Sequence, residues 1–449
     1  MRVLATNSKS IKVRVSVRSP CQILATTLPS KMKAEVLAES ETRREDGNDM
    51  GQYDLRVTSN ASTFAFHQFL DVLSDLDPNR DSPQRVLIDL ASPRFFSPGG
   101  IVPLIALIDD LAAANWEIDV QCPTGDHMAH YWESTGWKAA IHGDPPPKPS
   151  SRTTYTPLES YSKSYELNEI VNTVMDVLSK VTEYPTGVLG SVEWILQEIA
   201  DNVLVHSQAK GWVQTVSRPE KGLVDLIVVD RGLGILRTLS QAFPQLQSDE
   251  EALKLAINQG VTRDKSVGQG NGLAGSIRIA EAMHGWVNIM SGAANLRLFD
   301  DGRFDSEVTK PYQGTIVSIT LPTNAGVDLS TALWGYEPMR VFETTHVTTD
   351  GILFKLIEET TGFGNRGSGE EVATKLRNIA LTFPDDRVII DFTGIDVPSA
   401  SFLDEFLAKT IKSEGVATFF RRFQLENMNS FVQRTADEVI AQRLSESKN

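Results

Sequence analysis

Glu198-Ile-Ala-Asp-Asn-Val-Leu-Val-His206 is the stretch of this 449-residue sequence from which the fold can be inferred. In a helix of about 3.6 residues per turn, Glu198, Asn202 and His206 share one face because they stand four positions apart. A second face is apolar and consists of Ile195, Ile199 and Val203. The pattern predicts a helix whose apolar face joins a core and whose polar face presents a carboxylate, an amide and an imidazole.

Asp230 closes an apolar strand in the segment VVDRGLGI, and Gly232 and Gly234 then make a sharp loop without Cβ atoms. A carboxylate at this strand end can accept a hydrogen bond from the 6-amino group of adenine, whereas it would face the 6-oxo acceptor of guanine. The pattern therefore suggests a residue that selects adenine. The alternative is an aspartate that closes a type I turn before a glycine.

A second glycine-rich segment, GQGNGLAG, contains Gly268, Gly270, Gly272 and Gly275 and precedes a predicted helix. Glycines let the backbone approach a phosphate, and a helix N-terminus offers free N–H groups and the positive end of a dipole. GNGLAG satisfies the dinucleotide-binding pattern GxGxxG, but that pattern should follow a strand directly, and the polar QGVTRDKSV precedes it here. No GxxxxGK[ST] is present, which excludes the P-loop class. The segment therefore indicates a phosphate loop of another class.

The polar face of the motif helix supplies candidates for metal binding and catalysis. Asn202 offers an uncharged amide oxygen, which suits a Mg²⁺ that draws its remaining ligands from phosphates and water. Glu198, one turn earlier, can orient or deprotonate a nucleophile near the γ-phosphate. For His206 we expect packing or hydrogen bonding at the helix end rather than chemistry.

Composition limits the class of protein and its partners. The chain has 41% hydrophobic and 22% charged residues and no apolar run near the roughly 20 residues of a membrane span, which predicts a soluble protein without a membrane partner. A formal charge of -15 repels a phosphate backbone, so a nucleic-acid partner is not expected. Two distant cysteines, Cys21 and Cys122, fit neither a disulfide framework nor a metal site and favour a reducing cytoplasm.

Changes in composition and periodicity divide the chain into segments. Residues 1–50 lack a sustained period and are expected to be a disordered tail, with a transit peptide as the alternative. Residues 51–142 alternate strands and helices, and the Pro-rich linker 143–157 joins this α/β domain to a central α/β sandwich, a mixed sheet with one helical layer. The central domain, a second linker, a third α/β domain and a frayed tail are predicted at residues 158–325, 326–341, 342–440 and 441–449.

A short internal repeat connects the two outer domains. Arg85–Ser97 and Arg387–Ser399 both read Arg-Val, two apolar residues and Asp, and both reach a serine twelve positions after the Arg. We therefore expect the first and third domains to share one fold. Chance similarity between two buried strands is the alternative.

In order along the chain, EIADNVLVH, DRGLGI, GQGNGLAG and GT resemble the N, G1, G2 and G3 boxes of the GHKL superfamily, the histidine-kinase-like ATPases that include gyrase-type topoisomerases and mismatch-repair ATPases. The resemblance covers roughly residues 192–322, and the E-x-x-x-N-x-x-x-H form looks most like the anti-sigma-factor serine kinases. It implies ATP and Mg²⁺ as cofactors and Leu236–Val267 as the ATP lid. A sensor histidine kinase is not expected, because the upstream His67 lies in another domain.

This resemblance also implies a role for each matching residue. Glu198 would be the general base, Asn202 the Mg²⁺ ligand and Asp230 the adenine reader. Gly232 and Gly234 would form the turn beneath the base, and Thr315 would contact adenine through a water. The phosphate loop would comprise Gly268, Gly270, Gly272 and Leu273.

The outer domains resemble STAS domains, the fold of anti-sigma-factor antagonists, in which a serine at the start of the helix after the IDL strand accepts a phosphate. Ser97 and Ser399 occupy this position and are the candidate phosphoacceptors. The family's Asp-Ser-Ser-Gly is replaced by FSPG and PSASF, so helix capping is the alternative. Ser97 precedes Pro98, and Ser401 with Asp404 resembles a capping box.

These features predict a cytoplasmic, ATP- and Mg²⁺-binding regulatory protein that acts as a serine/threonine kinase on STAS-type partners or on its own STAS-like domains. The alternative is an ATP-gated conformational switch with slow hydrolysis and no phosphotransfer. A protein partner is expected to bind through the STAS-like domains, and a homodimer is left open. A scaffold with a degenerate site is disfavoured because Glu198, Asn202 and Asp230 are all present.

Overall fold

The computed structural model describes residues 11–14, 36–45, 48–57, 85–92, 95–150, 152–261, 272–336, 346–349, 351–360 and 362–445. Its strands are β1 (Ile11–Arg14), β2 (Val36–Glu45), β3 (Asn48–Val57), β4 (Arg85–Asp89), β5 (Glu117–Gln121), β6 (Glu159–Tyr161), β7 (Gly211–Arg218), β8 (Leu223–Asp230), β9 (Trp286–Leu298), β10 (Phe304–Pro322), β11 (Val347–Thr348), β12 (Gly351–Lys355), β13 (Val388–Asp391) and β14 (Phe423–Glu426). The α/β class predicted from the sequence is confirmed.

The helices within the same residues are α1 (Pro98–Ala113), α2 (Asp126–Ser134), α3 (Trp137–His142), α4 (Ser164–Val181), α5 (Val188–Asn202), α6 (Gly234–Leu239), α7 (Asp249–Ala256), α8 (Gly272–Ala282), α9 (Leu329–Ala332), α10 (Leu356–Glu359), α11 (Arg366–Thr382), α12 (Ala400–Leu403), α13 (Lys409–Glu414), α14 (Val416–Arg422) and α15 (Ser430–Ser445). Two π-helical turns, Val203–Ser207 and Asp404–Ala408, continue α5 and α12.

The first sheet contains β1 to β5 in sequence order. β2 is antiparallel to β1 and β3, whereas β3, β4 and β5 are parallel. β1, β2 and the start of β3 lie within residues 1–50, so the prediction of a disordered tail is wrong for these strands. The other residues of this segment lie outside those described. Pairing with β3 supplies backbone partners that a local hydrophobic period does not reveal. The overlooked sequence signal is Asp46-Gly47, a dipeptide typical of two-residue hairpin loops.

The third sheet has the order β11-β12-β13-β14, with one antiparallel pair followed by two parallel pairs. This is the order and direction of β2-β3-β4-β5, so the shared topology supports the fold repeat suggested by the sequence. The match extends to the turns, because Asp89 Oδ1 accepts from Ala91 N at 3.0 Å and Asp391 Oδ1 accepts from Thr393 N at 2.9 Å. Residues 58–84 of the first domain, which include His67, lie outside the described residues.

The central sheet has the order β6-β7-β8-β10-β9, and every described pair in it is antiparallel. The mixed sheet predicted from the sequence is therefore corrected. A parallel pair needs a long crossover connection, whereas only residues 219–222 join β7 to β8. One face carries the predicted helical layer, which consists of α4, α5 and α8.

Alternation along the central strands separates two environments. On β8, Val228 and Asp230 line a cleft on the helical side, whereas Ile227 and Val229 belong to a core on the opposite side. β10 repeats the pattern, with Thr315 and Val317 on the cleft side. The central sheet is therefore covered on both faces.

The first α/β domain covers the face opposite the cleft. Its helix α1 and the aromatic side chains of α2 and α3 share one core with the central strands. Gln214 on β7, only 1% exposed, accepts from Trp137 Nε1 at 2.8 Å and donates to the carbonyls of Thr135 and Thr156. The segment 143–157, predicted to be a linker, therefore joins two domains that pack against each other.

The third domain packs on the helical layer, where α11 lies against α4. Lys375 Nζ donates to Asp176 Oδ1 at 2.7 Å and forms an ion pair with Glu359 Oε2 at 2.5 Å, and His346 Nε2 lies 3.1 Å from Glu359 Oε1. Lys375 and Glu359 are each 6% exposed. The side chain of Asn378 bonds the main chain of Ser179, Thr182 and Tyr184.

The C-terminal segment differs from its prediction. α15 continues to Ser445, so the frayed tail predicted from residue 441 is helical over its first five residues, and residues 446–449 lie outside those described. Arg443 Nε donates to Asp404 Oδ1 at 2.9 Å. A long-range ion pair of this kind orders a chain end that has no local hydrophobic signal.

Candidate nucleotide site

The motif helix is not one continuous α-helix. α5 ends at Asn202, and the π-helical turn Val203–Ser207 follows it. A π-turn inserts extra chain into the helix and frequently marks a functional site. Asn202 and His206 still line the same cleft, as the spacing of four predicts.

The cleft lies between the helical layer and the central sheet. Its walls are mainly apolar, and they include Ile199, Val203, Val228, Ile235, Leu239, Leu273 and Val317. A small polar set faces the same space and consists of Asn202, His206, Ser207, Asp230, Thr238 and Thr315. About 810 Å³ of space free of protein atoms lies within the cleft and its open side. An apolar pocket with few polar groups suits a flat heterocyclic base.

Asp230 is the buried carboxylate of this cleft, with 3% exposure. Its Oδ1 accepts from Gly232 N at 2.8 Å. Burial raises the pKa of Asp230 to about 6, although hydrogen bonds from the backbone of Gly232 and Thr315 and the charge of Arg231 lower it. The group is therefore mostly ionised at neutral pH and can accept a hydrogen bond from an exocyclic amine.

Close approach of backbone segments explains two glycines at this strand end. A Cβ on Gly232 would lie 2.1 Å from the carbonyl oxygen of Ser207, and one on Gly314, whose φ is +102°, would lie 2.1 Å from the carbonyl oxygen of Asp230. Leu233 N also donates to Ser207 O at 3.0 Å. The glycines thus let the π-turn and two strands meet beside the carboxylate.

Ser291 is a residue at this site that the sequence reasoning missed. It is 1% exposed, accepts from Ile235 N at 2.9 Å and donates to Gly314 O at 3.0 Å. Its hydroxyl lies 3.4 Å from Thr315 Oγ1. Ser291 therefore ties the glycine turn to the strand that carries Thr315. The segment VNIMSG gives no local signal for this role.

Glu198 lies beside the cleft rather than in its lining. The position of a Cβ on Gly272, the first residue of α8, would be 2.4 Å from Glu198 Oε2. Burial, and then the neighbouring carboxylate of Asp201, raises the pKa of Glu198. A carboxylate of raised pKa at a helix N-terminus is a suitable base beside a phosphate site.

The phosphate loop is only partly described. Gly272 begins α8 and Leu273 lines the cleft, whereas Gly268 and Gly270 lie outside the described residues. The predicted lid, Leu236–Val267, contains most of α6 and all of α7. Its last residues, 262–267, lie outside those described. The α7 residue Asp249 accepts from Ala293 N at 2.9 Å, which fixes this helix to β9.

Asn202 is the candidate metal ligand in this cleft. Across the part of the chain that the structure describes, no cluster of three His, Cys, Asp or Glu side chains could hold a metal ion. Asn202 alone would be a weak ligand. A Mg²⁺ that takes its other ligands from phosphates and water fits this arrangement.

The two candidate phosphoacceptor serines lie outside the cleft and differ from each other. Ser97 precedes α1, but its hydroxyl makes no capping bond and is buried without a described partner. Ser399 caps α12, because its Oγ accepts from Phe402 N at 3.1 Å. The capping box predicted for Ser401 and Asp404 is wrong, since Ser401 lies inside the helix and Ser399 is the cap.

Comparisons with known proteins identify two of the three domains. Residues 188–325 match the family described as histidine kinase-, DNA gyrase B-, and HSP90-like ATPase, and residues 368–433 match the STAS-like domain of unknown function (DUF4325). No curated protein matches the chain. Neither matched range includes the first α/β domain, whose likeness rests on its topology.

These matches agree with the residues that the fold brings together. Asn202, Asp230 and Thr315 line one cleft within the first matched range, and an ATPase domain of this family implies ATP binding and a regulatory role. Among the described helices, none has the length and apolar character needed to cross a membrane. The chain thus contains a histidine kinase-, DNA gyrase B-, and HSP90-like ATPase domain at residues 188–325 and a STAS-like domain at residues 368–433.

Proposed function

We propose that this protein is an ATP- and Mg²⁺-dependent serine/threonine kinase of regulatory type, which acts on a STAS-type partner or on its own STAS-like domains. The observation that carries the nucleotide part is Asp230, a carboxylate with 3% exposure that nevertheless lines an apolar cleft. Burying a carboxylate is unfavourable unless the site gains a partner for it. Gly232 N already donates to this carboxylate from the protein, and the 6-amino group of adenine would be a further donor from the cleft side.

Glu198 supports the transfer step. In this step the hydroxyl oxygen of the acceptor bonds to the γ-phosphorus while the bond from that phosphorus to the β–γ bridging oxygen breaks and ADP leaves. The hydroxyl proton passes to Glu198, whose raised pKa makes it a stronger base than an ordinary glutamate. Mg²⁺, held by Asn202 and the phosphate oxygens, would neutralise charge on the phosphates.

The second candidate function is an ATP-gated switch without phosphotransfer. It is favoured by the ion pairs that connect the ATPase domain to both neighbours, Arg231 with Asp110 and Lys375 with Asp176. Such contacts can pass a change at the nucleotide site to the outer domains.

The test uses the full-length chain with Mg²⁺ and γ-labelled ATP, followed by phosphopeptide mapping and by calorimetry with ATP and GTP. Label on a serine or threonine supports the kinase, whereas release of phosphate without labelled protein supports the switch. Equal affinities for ATP and GTP would contradict the role of Asp230. Asn202→Ala should lose the Mg²⁺ dependence of ATP binding.

The matched variants are Glu198→Gln and Asp201→Asn, which neutralise a carboxylate in the same helix turn. Glu198→Gln should keep ATP affinity and lose turnover by about 100-fold or more. Asp201 is exposed, and its charge helps to raise the pKa of Glu198, so Asp201→Asn should lower turnover far less than Glu198→Gln does. Unchanged turnover in Glu198→Gln would move the base elsewhere.

A further inference from the structure

The end of strand β8 contributes one residue to the cleft and the next residue to the contact with the first α/β domain. Asp230 faces the cleft, whereas the next residue, Arg231, turns to the first α/β domain. Arg231 Nε donates to Asp110 Oδ2 of α1 at 2.8 Å, and the Arg231 side chain is 8% exposed. Because a buried cation needs its partner, the position of the Arg231 side chain depends on the first α/β domain.

Arg231 is also fixed from the adjacent strand. Its guanidinium lies 5.1 Å from the ring centroid of Tyr312, which is 1% exposed. Its backbone carbonyl accepts from Gln313 Nε2 at 3.5 Å. A Cβ on Gly314 would be 2.7 Å from the Cα of Arg231, so β10 passes close to the Arg231 backbone.

This packing links Asp110 to the adenine contacts. Movement of the Arg231 backbone would displace Asp230 and the Gly232 amide that bonds it, because the three residues are consecutive. It would also disturb Thr315, which pairs with Asp230 across the sheet. The ion pair between α1 and Arg231 therefore holds the polar end of the cleft in place.

We propose that Asp110 is a positioning residue for the nucleotide site, so that docking of the first α/β domain sets the affinity for ATP. The inference rests on the proposed nucleotide site and extends it, since the first domain then acts as a regulator of that site. α1 begins after Ser97 and carries Asp110 near its other end, so it connects the candidate phosphoacceptor to the base site through one helix.

The test compares Asp110→Asn with Asp109→Asn in the full-length chain. Both changes neutralise one carboxylate of the same helix turn, and both residues make an ion pair to the ATPase domain, Asp109 with Lys210 at 3.0 Å. Asp110→Asn should weaken ATP binding by about tenfold, within the range of coupling between sites, and Asp109→Asn by less than about twofold. Equal effects of the two variants would overturn the inference.

The pH dependence of ATP binding is the readout that a loss of stability alone would not produce. Among the described residues, the titratable and charged groups around Asp230 include Asp110, Arg231, Tyr161, Tyr312 and His206. Asp110 raises the pKa of Asp230 and Arg231 lowers it. The acid limb of ATP binding should therefore move to lower pH in Asp110→Asn and to higher pH in Arg231→Gln.

Two further variants keep the test decisive. Asp110→Glu retains the charge and should restore the native acid limb, and Arg231→Gln approaches the pair from the other side if Asp110→Asn does not fold. An unchanged limb in both Asp110→Asn and Arg231→Gln contradicts the inference while leaving ATP binding by the native chain intact. Absence of ATP binding by the native chain would instead contradict the proposed function.

Discussion

Glu198 rests against Gly272, because a Cβ on residue 272 would lie 2.4 Å from Oε2 of Glu198 and 3.3 Å from its Cβ. The two residues are far apart in sequence, yet one is the candidate base and the other begins the helix that follows the phosphate loop. The Glu198 carboxylate can therefore occupy this position only because residue 272 has no side chain.

We predict that Gly272→Ala lowers turnover about tenfold or more by displacing the Glu198 carboxylate, as expected for a misplaced catalytic group. Gly272 is not in the left-handed region, and the nearest atom ends a flexible side chain, so the melting temperature should change little. Labelled-ATP turnover and a thermal melt measure the two quantities. Native turnover in this variant would show that Glu198 does not depend on Gly272.

A second prediction concerns the cost of keeping Asp230 ionised. Burial raises the pKa of Asp230 to about 6, so between pH 4 and 6 the folded state binds more protons than the unfolded state. Stability therefore falls as the pH rises through this window. Asp230→Asn should be more stable than the native chain by up to about 2 kcal/mol at pH 7, and the difference should vanish near pH 4.

The same substitution should weaken ATP binding by about 1–3 kcal/mol and reduce the preference over GTP. In the native chain, ATP affinity should fall as the pH drops through about 6, because the protonated carboxyl is a poorer acceptor. Calorimetry across this range, paired with melts of both proteins, measures the opposite effects. Loss of both stability and affinity in Asp230→Asn would point to a structural aspartate.

A third prediction separates the two candidate phosphoacceptors. Ser399 caps α12, so Ser399→Ala should cost about 1 kcal/mol of stability. Ser97 makes no capping bond, so Ser97→Ala should cost much less. Chemical denaturation gives both values. Equal costs would mean that the Ser97 hydroxyl has a structural role at the start of α1.

A fourth prediction concerns the contact between the ATPase and STAS-like domains. Lys375→Met leaves Glu359 buried without its cation and should cost about 3–5 kcal/mol. The control is Lys180→Met, which removes the other partner of Asp176 at a more exposed site and should cost less than about 1 kcal/mol. Similar stabilities of the two variants would contradict a stabilising role for this network.

This network also sets a pH dependence. Burial would raise the pKa of Glu359, but the hydrogen bond from His346 and the charge of Lys375 outweigh it and hold that pKa below its ordinary value. The contribution is therefore present at neutral pH and is lost as the pH falls through the lowered pKa. Acid melts of the native chain and of Lys375→Met should converge at low pH.

The sequence by itself determined the elements that depend on local pattern. The spacing of Glu198, Asn202 and His206 predicted the motif helix, and the apolar run before Asp230 predicted a buried strand end beside a glycine turn. These features follow from the periods of helix and strand and from the conformational freedom of glycine. Both are local properties of the sequence. The ordered motifs then gave the ATPase resemblance.

Only the tertiary structure decided how these elements meet. The antiparallel central sheet, the hydroxyl of Ser291 beside Thr315 and the pairing of Arg231 with Asp110 all join residues distant in sequence. The π-turn after Asn202 is likewise held by packing against the glycine turn, where Leu233 N bonds Ser207 O. Such contacts depend on which surfaces are buried together, and a local hydrophobic period carries no information about that choice.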